Sequence, residues 1–344
     1  MSITLEDPKR TAIAVKLAEM KATQNVLISN ERALIQACHN QEISNRLESF
    51  LKDDQKNLGI IDTVIVQYGI KAEPKPSVQK NIEEVEIMMQ DSNISLFDKV
   101  AKHELLTHTQ AISGLLVHKA GQVVGEDIAV AIAPLNAVNF ENRGHEEQLK
   151  GIMESLSTLE LTGKPADSGL WANVQDTLAA VSGIAGGIMS KSDQGMNICE
   201  LIRLDHTKVN TLLDQIKATN NPQKLEEYFG QVYQDLSAHS EAEEAVVYPV
   251  MRFYYADIQQ LYDEQAKIKK LLEQIKAMNS GNTATFKAAI EDLITALTAH
   301  ISEEEKDMFP FIRHNFSDEQ QEKLATDFIT AKSKIQDQRL AVAS

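Results

Sequence analysis

The chain has 344 residues, 43% of them hydrophobic and 24% charged, with a formal net charge of −16. That length allows a sizeable core and two domains, and the acidity argues against nucleic acid and anionic membrane surfaces as main partners while suiting a protein that handles cations. Cys38 and Cys199 are too few for a disulfide framework and point to a reducing, cytoplasmic compartment; the start MSITLEDPKR lacks a secretory apolar run, and no stretch is apolar enough to span a membrane.

Helical periodicity runs through nearly every segment, and strand alternation is scarce. The pattern predicts helices near 9–39, 41–69, 77–91, 94–120, 123–160, 170–189, 197–219, 222–249, 254–279, 283–309 and 317–340. The fold class is therefore all-α. KAEPKPS (71–77) and LTGKPADSG (161–169) read as loops, and MSKSDQGMN (189–197) as a linker. The expected organisation is an N-terminal helical domain over 1–162, an amphipathic connector over 163–196 and a C-terminal bundle over 197–344.

The N-terminal helices carry polar residues on their apolar seams. In the first, Met20, Gln24, Leu27, Glu31, Leu34 and Cys38 fall on one face; in the second, Leu47, Leu51, Asp54, Leu58, Ile61, Ile65 and Tyr68 do. The fourth places Phe97, Val100, Glu104, His108, Ala111 and Leu115 on one side, and the fifth sets Glu141 over His145, in line with Leu149 and Ile152. Four helices thus each offer a carboxylate and two add a histidine. This arrangement resembles a ferritin-like di-iron bundle, which takes a glutamate from each of two helices and Glu-x-x-His from the other two. Here the pairs are Glu-x-x-x-His on two late helices. The resemblance implies a second metal site from Glu31, Asp54, Glu104, His108, Glu141 and His145; the competing reading is a bundle with buried ion pairs. His39, His103 and His118 read as ordinary surface or core histidines.

In the connector, Trp171, Val174, Leu178, Val181 and Ile188 recur at helical spacing, and Gly183 and Gly187 form a step that lets helices approach closely. The expectation is a helix packed between domains or across a homo-oligomer. A membrane anchor is the alternative, but the polar face has no lysine or arginine.

The C-terminal segment repeats itself. AHSEAEEAVVYP (238–249) returns as AHISEEEKDMFP (299–310), and DHTKVNTLLDQIKA (205–218) aligns with EQAKIKKLLEQIKA (264–277) with seven of fourteen positions identical. Two copies of one helical hairpin, packed together, make a four-helix bundle. His206 lies on the seam Ile202, His206, Val209, Leu213, Ile216. His239 and Glu243 lie on Val232, Leu236, His239, Glu243, Val246; His300 and Glu304 lie on Leu293, Leu297, His300, Glu304, Met308. These positions point into a bundle, where an isolated carboxylate is costly and a cation would neutralise it. The four-residue spacing sets each histidine one turn from its glutamate. Histidine with carboxylate and no cysteine suits iron, with manganese as the alternative ion.

This pattern resembles the hemerythrin-like HHE cation-binding domain, on LDHTKVNTLL, AHSEAEEAVVYP and AHISEEEKDMFP and over roughly 197–335. The resemblance implies an up-down four-helix bundle with a non-haem di-iron centre. His206, His239 and His300 would be terminal ligands, and Glu243 and Glu304 bridging carboxylates, with Glu305 a substitute for Glu304. The third helix departs from the pattern of oxygen carriers: Gln265 stands where a histidine is expected and Lys269 follows it one turn on, so Glu264 is the donor to be expected there.

Fewer imidazoles and more carboxylates resemble iron-sensing, iron-storing and oxidase-like sites more than a reversible oxygen carrier. The function expected is iron or oxygen sensing or storage. The alternatives are a di-iron oxidase, peroxidase or nitric-oxide-handling enzyme, and a structural scaffold with buried His–Glu pairs. Partners expected are iron ions with O2, peroxide or NO; neither nucleic acid nor a membrane is expected.

Overall fold

The computed structural model describes residues 7–164, 196–278 and 280–343. Every regular element among them is helical: α1 Pro8–Ala37, α2 Gln41–Tyr68, α3 Pro76–Gln90, α4 Leu96–Val124, α5 Glu126–Ala131, α6 Leu135–Thr162, α7 Ile198–Ala218, α8 Pro222–Ala242, α9 Tyr248–Met251, α10 Ile258–Lys276, α11 Thr283–Glu303, α12 Phe309–Asn315 and α13 Asp318–Ala343. The starts have local causes. Asp7, Asn40, Ser95, Asn197, Asn221 and Asn282 each accept a bond from a first-turn N–H, and Pro8 and Pro222 supply the preset first helical residue. Asn197 and Glu200 form a reciprocal capping box at the start of α7. The predicted helix 170–189, with its expected role between domains or subunits, lies outside the described residues.

In the N-terminal half α1 packs on α2 and α4, and α4 packs on α6. Two apolar clusters fill this part, one around Leu17, Met20, Ile61 and Val138, the other around Leu27, Leu47, Phe50 and Leu149. The single helix predicted over 123–160 is divided. Helix α4 ends at Gly125, a short α5 follows, and Pro134 precedes α6. The break turns Asp127 inward, where its carboxylate accepts two bonds from Arg10 at 2.6 and 2.9 Å, with both side chains buried.

In the C-terminal half α7 pairs with α8 and α10 with α11. One apolar cluster runs through Ile202, Val247, Leu261 and Met308, and a second through Val209, Leu236, Ile268 and Leu297. On each of the four helices the seam passes from one cluster to the other across a single polar stretch. His206, then His239 with Glu243, then Gln265, then His300 with Glu304 make up that layer. The helices also do not stop at the two aromatic–proline pairs. Glu243–Val247 and Glu304–Met308 are π turns, and Tyr248 and Phe309 begin the helices that follow. A proline ring would collide with the carbonyl four residues back in an α-helix, and the wider turn makes room for Pro249 and Pro310.

The end of α2 is seated on the C-terminal bundle. Gly69 closes α2 in the left-handed region with φ of 80°, and a Cβ there would stand 2.5 Å from Asp235 Oδ1, so glycine is required on both counts. The last carbonyls of a helix carry partial negative charge and lack helical partners. Here Lys208 Nζ donates to those of Gln67 and Tyr68 at 2.7 and 2.9 Å. From α13, Gln336 Nε2 donates to the Val66 carbonyl and Lys332 Nζ to Gln67 Oε1.

Candidate metal centre

The polar layer of the C-terminal bundle is built from paired groups. His206, His239, Glu243, Gln265, His300 and Glu304 are each at most 3% exposed. Donor atoms of His206, His239, Glu243 and Glu304 all lie within 4.8 Å of one another, the sole such grouping of three or more among the described residues. His206 Nε2 is 3.2 Å from Glu304 Oε2, and His239 Nε2 is 3.2 Å from Glu243 Oε2. His300 Nε2 sits at the edge, 3.4 Å from Glu304 Oε1.

Each of the three imidazoles is held from behind. Nδ1 of His206 meets Glu305 Oε1 at 2.9 Å, Nδ1 of His239 meets Asp205 Oδ2 at 2.9 Å, and Nδ1 of His300 meets Glu264 Oε2 at 3.1 Å. A carboxylate accepting from Nδ1–H fixes the ring and leaves Nε2 as the inward lone pair, the arrangement of metal-bound histidines. The carboxylates are anchored in turn. Lys332 Nζ lies 2.6 and 2.7 Å from the Asp205 oxygens, Arg203 Nε donates to Glu305, and Gln260 Nε2 donates to Glu264. Glu264, expected as a donor to the metal, and Glu305, considered as a substitute for Glu304, therefore orient histidines instead.

Gln265 explains the broken repeat. Its Nε2 donates to Glu243 Oε2 at 2.7 Å and to the Tyr248 hydroxyl at 2.8 Å, and that hydroxyl donates to Glu304 Oε1 at 2.6 Å. An amide and a phenol thus hold the two glutamates where the repeat would place another imidazole. Lys269 points away and pairs with Glu244 at 2.8 Å.

The electrostatics are those of a site short of positive charge. Burial pushes the Glu243 carboxyl up, and the Glu304 charge adds to it. Burial also raises Glu304, but His300 and His206 outweigh it and hold that carboxyl well below its usual range. Burial lowers His239, yet the Glu243 charge and the bonds to Asp205 and Glu243 carry it up to about 10. For Asp205 the Lys332 charge and His239 overcome burial and keep it ionised. His206 Nε2, His239 Nε2, Glu243 Oε1 and Glu304 Oε2 remain without a hydrogen-bond partner although fully buried. Buried polar atoms are almost always paired, and a cation among these four is the partner that fits all of them at once.

The residues expected to form a second site are distributed differently. Glu31, Asp54 and His145 are buried in one polar layer, with His145 Nδ1 3.5 Å from Asp54 Oδ1. Glu104 is half-buried, and His108 turns outward with its Nδ1 3.2 Å from Glu146. Glu141 is half-buried beside the layer, where burial raises its carboxyl. His103, read from sequence as an ordinary histidine, is 1% exposed with its Nε2 3.6 Å from Glu31 Oε1.

Comparison with known proteins gives three findings. A family model for the hemerythrin HHE cation-binding domain matches residues 197–312. A protein of Nostoc sp. named DNA nickase is 53% identical over 344 residues, covering 99% of this chain and 97% of its own length. An uncharacterized hemerythrin-like protein of Schizosaccharomyces pombe is 29% identical over 140 residues, 39% of this chain and 68% of its own. No solved structure matches. The Nostoc similarity stands against the expectation, drawn from charge, that nucleic acid is no partner.

Proposed function

The chain belongs to one family with the Nostoc relative and carries a hemerythrin HHE domain in its C-terminal half, and from that premise we propose that it is an iron-dependent DNA nickase with a non-haem iron centre in that bundle. The observation that supports the metal is the set of three imidazoles, each locked by an outer carboxylate, around glutamate oxygens that lack any other partner. His206, His239, Glu243 and Glu304 would hold the ion, and His300 a second one beside it. Imidazole and carboxylate without thiolate favour iron or manganese over structural zinc, and iron held there supplies one-electron chemistry toward O2 or peroxide.

Nicking rests on the similarity along the whole chain, and burial constrains how it uses the centre. Glu243 and Glu304 are 0% exposed, so DNA phosphates do not reach these donors. This burial disfavours hydrolysis of a phosphodiester held directly on this ion. It favours dependence on small molecules that can enter.

The net charge of −16 favours a second reading, iron or oxygen sensing or storage without DNA. Supercoiled plasmid incubated with iron-loaded protein separates the two. Conversion to open circles that stops with a chelator and in His239→Ala supports nicking at this centre. Undiminished nicking by metal-free protein sinks that link. Iron bound without any nicking leaves sensing or storage as the function.

A further inference from the structure

The cation-binding match begins at residue 197, yet the N-terminal helices bury a polar layer of their own. Helix α1 contributes Glu31, α2 Asp54, α4 His103 and α6 His145, each at most 4% exposed. Neither Glu31 oxygen has a hydrogen-bond partner, and neither does Nδ1 of His145, the nitrogen that faces Asp54. The surrounding amides leave Glu31 unserved: Gln110 donates to Gln24 Oε1, Gln24 to the Asp54 carbonyl, and Asn57 to Asp54 Oδ1 within the layer. Phe50 stacks on His145 with ring centroids 4.4 Å apart and walls that side.

The distances carry information. The contacts of 3.6 Å between His103 and Glu31 and 3.5 Å between His145 and Asp54 exceed the roughly 2.7–3.2 Å of an N–H···O bond. These two edges have the ligand-to-ligand length of a tetrahedral ion, roughly 3.4 Å when metal–ligand bonds are about 2.1 Å, while no three of the four donors lie within 4.8 Å of one another. We propose that Glu31, Asp54, His103 and His145 form a second, separate site for one divalent transition-metal ion. Two carboxylates and two imidazoles without a thiol suit zinc, cobalt, manganese or ferrous iron. The set is wider than the C-terminal quartet, so an ion draws the Glu31–His103 pair toward the Asp54–His145 pair. Glu31 and Asp54 already act on each other electrostatically, and one ion neutralises both.

The test uses the full chain and cobalt(II), whose visible d–d absorption reports tetrahedral coordination. In a His239→Ala, Glu304→Ala background one cobalt per chain remains, with intense tetrahedral bands. Adding Glu31→Gln, which conserves volume, weakens that cobalt at least tenfold. In the otherwise wild-type chain Glu31→Gln removes the same equivalent, which keeps the test valid if the alanine background unfolds. Unchanged cobalt stoichiometry and spectrum in Glu31→Gln overturn the proposal, as does a folded wild-type chain whose cobalt is all lost with His239→Ala. Failure of the C-terminal centre reads differently: His239→Ala then changes nothing, while Glu31→Gln still costs one cobalt.

Discussion

The two polar layers use the same side chains in opposite order. In the C-terminal bundle the carboxylates Glu305, Asp205 and Glu264 stand behind the imidazoles, and a second pair, Glu243 and Glu304, stands in front. In the N-terminal bundle each histidine meets a buried carboxylate directly, and only the half-exposed Asp53 stands on the far side of His145. The difference is one of preorganisation. The charges of the first layer are anchored from outside by Lys332 and Arg203; in the second Asp54 and His145 hold each other ionised while Glu31 stays neutral, its carboxyl pushed up to about 11 by burial and by Asp54. A bundle can therefore bury the same residue types either as charge or as neutral groups, and the outer partners decide which.

Deleting one buried base from each layer gives the largest contrast. Lys332 is 1% exposed and anchors Asp205 while reaching Gln67 on α2. Lys332→Met leaves the buried Asp205 with His239 as its remaining cationic partner, so about 3 kcal/mol of stability should go, read by urea unfolding of the chelator-treated chain. His103→Leu removes a ring that is already neutral, so its cost should fall well below that. Equal losses would erase the distinction between the layers.

How these layers read from sequence follows from the same contrast. The C-terminal one was legible because it is written twice: the spacing of His239 and Glu243, copied at His300 and Glu304, singles out one face on two helices. The orienting role of the carboxylates was not read, Glu264 and Glu305 being taken as donors to the metal and Asp205 passed over, although each flanks a seam residue, Asp205 beside His206, Glu264 beside Gln265 and Glu305 beside Glu304. Each serves a histidine on a different helix, and a neighbour in sequence does not reveal a partner across the bundle. On α4 the seam was drawn through Glu104 and His108, whereas the buried face is Val100, His103, Thr107, Gln110 and Val117. Exposed Leu105, Ile112 and Leu116 make that helix apolar on more than one side, so hydrophobic period alone cannot choose its face. Gly125 and Pro134 did mark the division of the helix predicted over 123–160, as local chemistry often does.

Protons and metal compete in the anchored layer, which fixes a pH dependence. His239 is carried up to about 10, so its contribution to the metal-free fold is complete below about 6.5 and lost as pH rises through 10. An ion must displace that proton. Affinity at the C-terminal centre should thus rise with pH, by up to about tenfold per unit between pH 6 and 8, in calorimetric titrations with the N-terminal layer disabled by Glu31→Gln. A flat profile would mean that His239 does not ligate. Asp205→Asn should act next, weakening the metal by about tenfold to a hundredfold through loss of ring orientation while leaving the helical circular dichroism unchanged. Affinity equal to wild type would show that the ring is held by packing against Phe328 alone.

The most discriminating outcome is a sign, because the same Glu→Gln change should act in opposite directions in the two layers. Glu31 is a carboxyl whose folded value lies above its unfolded one, so its favourable contribution exists below about pH 4.5 and fades as pH rises toward 11. Glu31→Gln substitutes a group that never ionises. In the metal-free chain it should leave stability near wild type at pH 4 and raise it at pH 8, where the native carboxyl resists ionisation that the unfolded chain permits. Glu304 is the reverse case: His300 and His206 hold it ionised, its contribution is present above the ordinary carboxylate range, and it is lost as pH falls. Glu304→Gln should therefore destabilise the same chain at pH 8. Thermal melts of both variants with chelator, at pH 4.5 and pH 8, read the two signs directly. If Glu31→Gln lowered the midpoint at pH 8, its carboxylate would be ionised and paired. Glu31 would then join the charged Asp54–His145 pair rather than stand neutral beside it.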